Sequence, residues 1–181
     1  MSRDWSLMLI APAAITLATP AMATDYLTAQ AAQRVLFPAA SGFEPVPVTL
    51  GKDQVKEIRK LSGVRQRNDM PPVWRAEGPD GTLGYFLVDE VVGKHEYITY
   101  AAALTPDGHV IGIEIMSYRE THGDEVRQAD WRAQFTGKSL EDTLKLGKDI
   151  SNISGATLSC RNITDGVRRL LALQKVAGLD G

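Results

Sequence analysis

The sequence has 181 residues, of which 44% are hydrophobic and 23% charged, and its formal net charge at pH 7 is −2. This length suits one domain with a substantial core, and the near-neutral charge gives none of the basic surface that nucleic-acid binding requires. The single cysteine, Cys160, excludes an intrachain disulfide and a cysteine-rich metal site. We therefore expect one globular domain that does not bind nucleic acid.

The first 23 residues have the pattern of a secretory signal peptide. Arg3 precedes an apolar run over residues 5–19, and Ala-Met-Ala at 21–23 has the small-x-small pattern of a signal peptidase site. The alternative is an uncleaved anchor, because residues 5–23 are nearly long enough to span a bilayer. In both cases the domain is predicted to be extracytoplasmic, as in the periplasm, and cleavage would start the mature chain near Thr24.

Two helices and one strand are predicted before the central part of the chain. The first helix is capped by Thr24 and Asp25 and runs to Leu36. A strand is predicted over 43–50, and its two prolines favour the edge of a sheet. Apolar residues at helical spacing predict the second helix over 53–62.

The centre of the chain is predicted to be β-structure. Four strands are expected, over 73–76, 83–92, 97–104 and 110–118. The Thr-Pro-Asp-Gly sequence at 105–108 is a strong hairpin signal between the last two strands. Strict alternation in the last strand predicts one face with Ile111, Ile113 and Ile115, and an opposite face with Glu114, Met116 and Tyr118.

The last part of the chain is predicted to be helical. Short helices are expected over 130–136 and 140–144, and an apolar stripe predicts a long amphipathic helix over 158–176. The order of elements predicts a single-domain α+β fold, in which an antiparallel sheet has helices from both chain ends packed on one face.

The sequence Ser154-Gly155-Ala156-Thr157 directly precedes the long helix. The start of a helix offers unpaired backbone N–H groups and the positive end of the helix dipole, and small residues let a ligand approach the backbone closely. This arrangement favours a phosphate beside a threonine hydroxyl. The simpler interpretation is that Thr157 or Ser159 only caps the helix.

This S-G-A-T sequence resembles the signature of the FMN-binding domain family, which occurs in flavin subunits of the sodium-pumping quinone reductases and the Rnf complexes. Three further blocks, at residues 108–113, 118–123 and 131–138, resemble family segments in the same order and spacing. Together the four blocks cover about residues 80–176. Together with the predicted signal peptide (1–23), the resemblance divides the rest of the chain into an N-terminal extension (24–79) and an FMN-binding domain (80–181).

The resemblance implies that a flavin transferase moves FMN from FAD onto Thr157 and forms a phosphoester. It further implies an electron carrier between a redox partner in or at the membrane and an extracytoplasmic acceptor, with no catalytic residues of its own. The implied cofactor-binding residues are Thr157 with Ser154, Gly155 and Ala156 at the phosphate, and Glu120 and Thr121 at the isoalloxazine ring. Tyr118, Trp131 and Phe135 either form a wall for the flavin or belong to the core.

Two positions depart from the family pattern. Ser151 stands where an aspartate is usual, with Asp149 as a candidate substitute, and His122 replaces a proline. The departure at Ser151 keeps two alternatives open: an exported module that binds a ligand non-covalently, and an assembly domain that has lost its flavin. The acidic and histidine residues at 95–96 and 120–125 match no metal motif, which favours a solvated loop.

Overall fold

The structure, a computed structural model, describes residues 24–120 and 122–179. Its strands are β1 (Thr24–Asp25), β2 (Gly42–Pro45), β3 (Val73–Gly78), β4 (Gly81–Val92), β5 (Tyr97–Leu104) and β6 (Val110–Tyr118). Its α-helices are α1 (Ala29–Leu36), α2 (Lys52–Ser62), α3 (Ala129–Ala133) and α4 (Thr157–Ala177). A 3₁₀ turn, Asp124–Arg127, precedes α3.

The six strands form one antiparallel sheet in the order β1-β6-β5-β4-β3-β2. Strands β3 to β6 follow one another through consecutive hairpins, as the turn signals predict. In the β5–β6 turn Gly108 has a φ of 85°, and the Thr105 hydroxyl accepts a hydrogen bond from the His109 N–H at 2.9 Å. The α+β, antiparallel prediction is confirmed.

The helices cover both faces of the sheet, so the prediction that they pack on one face is wrong. Helices α2 and α4 contribute to the larger core, on the face that carries Ile113 and Tyr100. Helix α1 packs on the opposite face, over the smaller cluster that includes Phe86. The central strands present apolar side chains on both faces of the sheet, and each apolar face has to be buried by a separate layer of helices.

The prediction of strict alternation in β6 is also wrong, because the strand contains two β-bulges. Ile111 and Met116 are extra residues with no partner in the register with β5. Both lie on the α1 side of the sheet, whereas Ile115 and Tyr118 both belong to the core beneath α4. A bulge inserts one residue and thereby reverses the faces of the residues that follow it. Tyr118 is consequently directed to the α4 side.

The N-terminal boundaries differ from the predicted ones. Thr24 and Asp25 do not start a helix but pair with the end of β6 at Tyr118 and Ser117. Helix α1 begins later, and the hydroxyl of Thr28 caps it by accepting a hydrogen bond from the Ala31 N–H at 3.2 Å. The predicted signal peptide lies outside the described residues.

Three other predictions are confirmed in position but not in length. Strand β2 is shorter than predicted and lies at the sheet edge, as its proline content indicates. Helix α2 ends where Gly63 adopts a left-handed conformation with φ 71°. Helix α3 ends three residues early.

No helix forms over residues 140–144, which the sequence predicts to be helical. The carboxylate of Asp142 accepts a hydrogen bond from the Ser139 N–H at 2.9 Å and stabilises a turn there. Acidic side chains often form such local bonds with the backbone, and these bonds compete with helix formation.

A buried charge network fixes α4 against the sheet. Asp89 on β4 accepts hydrogen bonds from the hydroxyl of its cross-strand neighbour Tyr100, at 2.7 Å, and from the guanidinium of Arg169 on α4. The side chains of Arg169 and Asp89 are 5% and 15% exposed. Gly166 brings α4 close to the sheet, because a Cβ at this position would overlap the Tyr100 hydroxyl. The position of α4, and of the residues at its N-terminus, follows from these contacts.

Candidate functional site

The S-G-A-T sequence forms a tight turn and the first residue of α4. Gly155 has a φ of 88°, a left-handed conformation that favours glycine, and the Ala156 N–H donates to the Ile153 carbonyl at 3.1 Å. Helix α4 begins at Thr157, its N-cap is Ala156, and no side chain caps it. Thr157 therefore lies next to the N-cap, as predicted, and the interpretation that Thr157 or Ser159 caps the helix is wrong, because no side chain caps it.

The surface at this turn is open. Ser154, Gly155 and Thr157 are exposed, whereas Ala156 is 3% exposed. A Cβ at Gly155 would have no heavy atom within 4 Å among the described residues. The first turn of α4 contains no acidic residue, and the exposed Arg161 follows it. The helix dipole and the lack of nearby negative charge in this turn both favour an anion.

Thr157 has one side-chain partner in the described part of the chain. The amide nitrogen of Asn152 donates a hydrogen bond to Thr157 Oγ1 at 3.1 Å. The preceding residue, Ser151, is held through its backbone, because its N–H donates to the Gln134 side chain and its carbonyl accepts from the Trp131 indole, both at 2.8 Å.

Asp149, the candidate substitute for the missing aspartate, is engaged with its own loop. Its carboxylate accepts hydrogen bonds from the N–H groups of Leu144 and Lys145, both at 2.9 Å, and lies 3.6 Å from Lys138. Burial raises the pKa of Asp149, but these backbone bonds outweigh burial and lower it overall. These contacts give Asp149 a structural role in residues 144–149.

Tyr118 joins the segment after β6 to the start of α4. Its hydroxyl donates to the His122 carbonyl at 2.6 Å and forms a hydrogen bond with Ser159 Oγ at 3.1 Å. Burial raises the pKa of Tyr118, and nearby carboxylates raise it further. At Gly123, where φ is 96°, a Cβ would lie 2.5 Å from the Tyr118 hydroxyl oxygen and 3.2 Å from Ala156 Cβ. The segment thus packs directly on the S-G-A-T turn.

Glu120 is directed to the β4–β5 turn. Its carboxylate accepts hydrogen bonds from the N–H groups of His95 and Glu96, the latter at 2.9 Å. Burial raises the pKa of Glu120, but the hydrogen bonds from backbone N–H groups outweigh burial and lower it overall. In α4, the amide of Asn162 donates to the Val92 carbonyl at the end of β4, at 2.5 Å. The structure therefore brings Glu120, the β4–β5 turn and the start of α4 together.

Of the two remaining candidate residues, Thr121 and Phe135, the structure describes only Phe135. Thr121 lies outside the described residues. Phe135 is fully buried and packs edge-to-face on Trp131, with 5.1 Å between ring centroids. Trp131 is 3% exposed, so these two rings belong to the core and support the loop at Ser151.

Across residues 24–120 and 122–179 no group of three or more His, Cys, Asp or Glu side chains is placed to hold a metal ion.

Sequence reasoning missed Asn152 and Gly123 at this site. Asn152 belongs to the loop before the motif, and its role depends on a contact with a residue five positions later. Gly123 is the last residue of the 118–123 block, but its close approach to Tyr118 depends on the bulge in β6. A local sequence pattern indicates neither the Asn152–Thr157 contact nor the approach of Gly123 to Tyr118.

Replacing Tyr118 by phenylalanine is expected to destabilise the protein by about 1–3 kcal/mol, because it leaves the His122 carbonyl and the Ser159 hydroxyl without their partner. Urea unfolding measures this change. Tyr97 is 52% exposed, and Tyr97→Phe is the matched control, expected to change stability by less than about 0.5 kcal/mol. Equal stability of the two variants would contradict the assigned role of Tyr118.

Residues 93–172 match the family model described as the FMN-binding domain. Over 135 residues the chain is 30% identical to a subunit of the proton-translocating ferredoxin:NAD(+) oxidoreductase complex of Clostridium ljungdahlii, an alignment that covers 70% of each chain. The chain belongs to the FMN-binding domain family. The matched region contains the S-G-A-T turn, Tyr118 and Glu120.

Other comparisons agree with this family. The chain is 34% identical over 94 residues to a subunit of the ion-translocating oxidoreductase complex of Stutzerimonas stutzeri, an alignment that covers 46% of this chain and 41% of that protein. The crystal structure of Shewanella oneidensis NqrC matches with a TM-score of 0.50 at 19% identity and covers 78% of this chain and 73% of that one. The likeness to NqrC supports the α+β fold. Among the described residues, no helix combines the length and apolar character needed to cross a bilayer.

Proposed function

We propose that this member of the FMN-binding domain family is an exported electron-transfer flavoprotein that carries FMN on Thr157 through a phosphoester. The observation that carries this proposal is the exposed residue Thr157 at the start of α4, where no side chain caps the helix, within the region that matches the family. A phosphate at this position takes the place of the absent capping group.

The residues around Thr157 fit a phosphate. Ser154 and Gly155 leave the backbone exposed, and the first N–H groups of α4 can donate to phosphate oxygens. Ala156 is buried beneath the segment after β6 and fixes the turn. Arg161, one turn along the helix, supplies a positive charge nearby. When bound, FMN supplies the redox chemistry, and the protein holds it in place.

We place the isoalloxazine ring over the region where the β4–β5 turn, Glu120 and the start of α4 meet. Leu158 is 43% exposed and lies one turn before Asn162, which contacts the end of β4. Leu158 therefore offers apolar surface to a ring on this side of α4. Glu120 holds the turn, Thr121 follows it in the same segment, and the Tyr118 hydroxyl fixes that segment.

The relatives' names support the proposed partners. The relatives from Clostridium and Stutzerimonas are subunits of ion-translocating oxidoreductase complexes. By analogy we propose a membrane-associated electron donor and an extracytoplasmic acceptor for this protein, and a flavin transferase for its maturation. The alignment covers 41% of the Stutzerimonas relative, so the activity of that whole protein is not carried over to this chain.

Ser151 favours a second candidate function, an exported module that binds its ligand non-covalently. Peptide mass mapping decides between the two functions. The protein is produced with a flavin transferase, exported and digested, and the peptide that spans 149–161 is analysed. We expect an FMN adduct on Thr157 that survives denaturation. An unmodified peptide from protein made under these conditions contradicts the covalent function and favours the second candidate.

Export is expected to remove the first 23 residues, because an Ala-Met-Ala sequence follows an apolar run. N-terminal sequencing of the periplasmic protein should begin at Thr24 or within two residues of it. A protein that retains Met1 and sediments with membranes would instead support the uncleaved anchor.

A further inference from the structure

The hydroxyl of Thr157 is held by a side chain that the family signature does not include. Asn152 Nδ2 donates to Thr157 Oγ1 at 3.1 Å, and both residues are exposed. A threonine hydroxyl has one proton to donate and two lone pairs that accept, whereas the NH₂ group of an amide only donates. The bond from Asn152 therefore occupies one lone pair of Oγ1, and the hydroxyl proton and the second lone pair can interact with other groups.

The position of Asn152 is fixed by contacts to the preceding residue, Ser151. The backbone of Ser151 is held on both sides, by the Gln134 side chain and by the Trp131 indole. Trp131 packs on the buried Phe135, and the Gln134 side chain also donates to the Trp131 carbonyl at 3.3 Å. Because these contacts reach only the backbone of Ser151, its side chain takes no part in them. The next residue is presented to Thr157 by a fixed loop.

We infer that Asn152 is a positioning residue for flavin attachment, which holds Thr157 Oγ1 in the orientation that reacts. The inference rests on the proposed function. In that reaction Oγ1 forms a bond to the phosphorus of the FMN half of FAD, and the phosphorus–oxygen bond to AMP breaks. AMP leaves with the bonding electrons, and the hydroxyl proton passes to a base of the transferase. No electron is gained or lost by the protein.

The orientation matters because the oxygen must present a free lone pair to phosphorus at short range. Without the amide, Oγ1 can turn among the staggered positions of the side chain. In this chain the contact from Asn152 is present where the usual aspartate is replaced by Ser151. Asn152 thus provides, through a donated hydrogen bond, the local order that supports modification.

The test is a flavin-transfer assay on purified, unmodified full-length mature protein with FAD and a flavin transferase. Asn152→Ala is expected to lower kcat for attachment by about 3- to 10-fold, the effect of losing one typical hydrogen bond. The KM for the acceptor protein should stay unchanged. Asn152→Asp keeps the shape but replaces the donor with an acceptor, and it is expected to be slowed at least as much.

Thr143→Ala is the matched control, since Thr143 is exposed, lies in the same connection and forms no side-chain hydrogen bond with any described residue. It should be modified at the wild-type rate, and thermal unfolding should show all three variants folded. A change in KM alone would show that Asn152 only contacts the transferase. A wild-type rate for Asn152→Ala, or a rate at or above wild type for Asn152→Asp, would overturn the inference. If the wild-type protein itself is not modified, the proposed function fails, which is a separate outcome.

Discussion

Thr157→Ala is expected to give a folded protein without covalent flavin, even when a flavin transferase is present and the protein is exported. In the proposed phosphoester the ester oxygen comes from the threonine side chain, so its removal is expected to abolish attachment. Thr157 is exposed, and among the described residues its side chain forms a hydrogen bond only with the exposed Asn152. Denaturing gel fluorescence and intact-mass spectrometry measure the loss, which should be complete.

The fold should survive this change, because Thr157 does not cap the helix and even the loss of an N-cap side chain costs only about 0.5–2 kcal/mol. Thr157→Ser is the informative companion, since it keeps the hydroxyl and should retain part of the flavin. Ser159→Ala distinguishes the Thr157 hydroxyl from the second hydroxyl near the start of α4, that of Ser159. The Ser159 side chain is buried and forms a hydrogen bond with Tyr118. Covalent flavin on Thr157→Ala would contradict the assignment of the attachment residue.

Asp89→Ala is expected to destabilise the protein by about 3–5 kcal/mol, because it leaves the buried guanidinium of Arg169 without its counter-charge. It also removes the acceptor of the Tyr100 hydroxyl. Such a loss is a large share of the total stability of a domain, about 5–15 kcal/mol. Urea unfolding monitored by circular dichroism measures it.

Asp165→Ala is the matched control on α4. Asp165 pairs with Arg168 at 3.1 Å, but both side chains are partly exposed, at 38% and 25%. Water screens such a pair, and its loss should cost less than about 1 kcal/mol. The double variant Asp89→Ala/Arg169→Met removes both buried charges and should recover part of the stability. Equal costs for Asp89→Ala and Asp165→Ala would contradict the structural role of the buried network.

Elements with a strong local signal could be predicted from the sequence. The apolar stripe of α4 and the Asp-Gly turn between β5 and β6 each depend on neighbouring residues, and both lie where the sequence predicts them. The prolines of β2 correctly indicate a sheet edge. In contrast, the predicted cap of α1 is wrong, because both Thr24 and Thr28 fit a capping pattern and pairing with β6 decides between them.

The features that sequence reasoning missed depend on residues far apart in the chain. Asp89 and Arg169 are eighty positions apart, and a pattern of charges does not show that they form a buried pair. The position of α1 on the opposite face of the sheet could not be inferred either. The two apolar faces of the sheet differ in size, and they form only when the strands are assembled.

The candidate site could be predicted in part. The motif correctly indicates that a helix starts at Thr157, whereas the role of Thr157 as the cofactor-binding residue stays a prediction. The sequence allows Trp131 and Phe135 to belong either to the core or to a flavin wall, and their burial favours the core. The environment of Tyr118 could not be predicted, since an insertion in the strand changes its direction.

The bulge at Met116 makes the direction of Tyr118 depend on how β6 accommodates one residue. Met116 has no partner in β5, so a chain that lacks this residue would keep Tyr118 opposite Ile98 and directed to Ser159, in a strand with simple alternation. A chain that keeps the residue but pairs it with β5 would instead turn the tyrosine to the α1 side. In an alignment of such chains, a single-residue gap at Met116 is therefore compatible with the same attachment of the loop to α4, and a strand of full length does not by itself show that the attachment is retained.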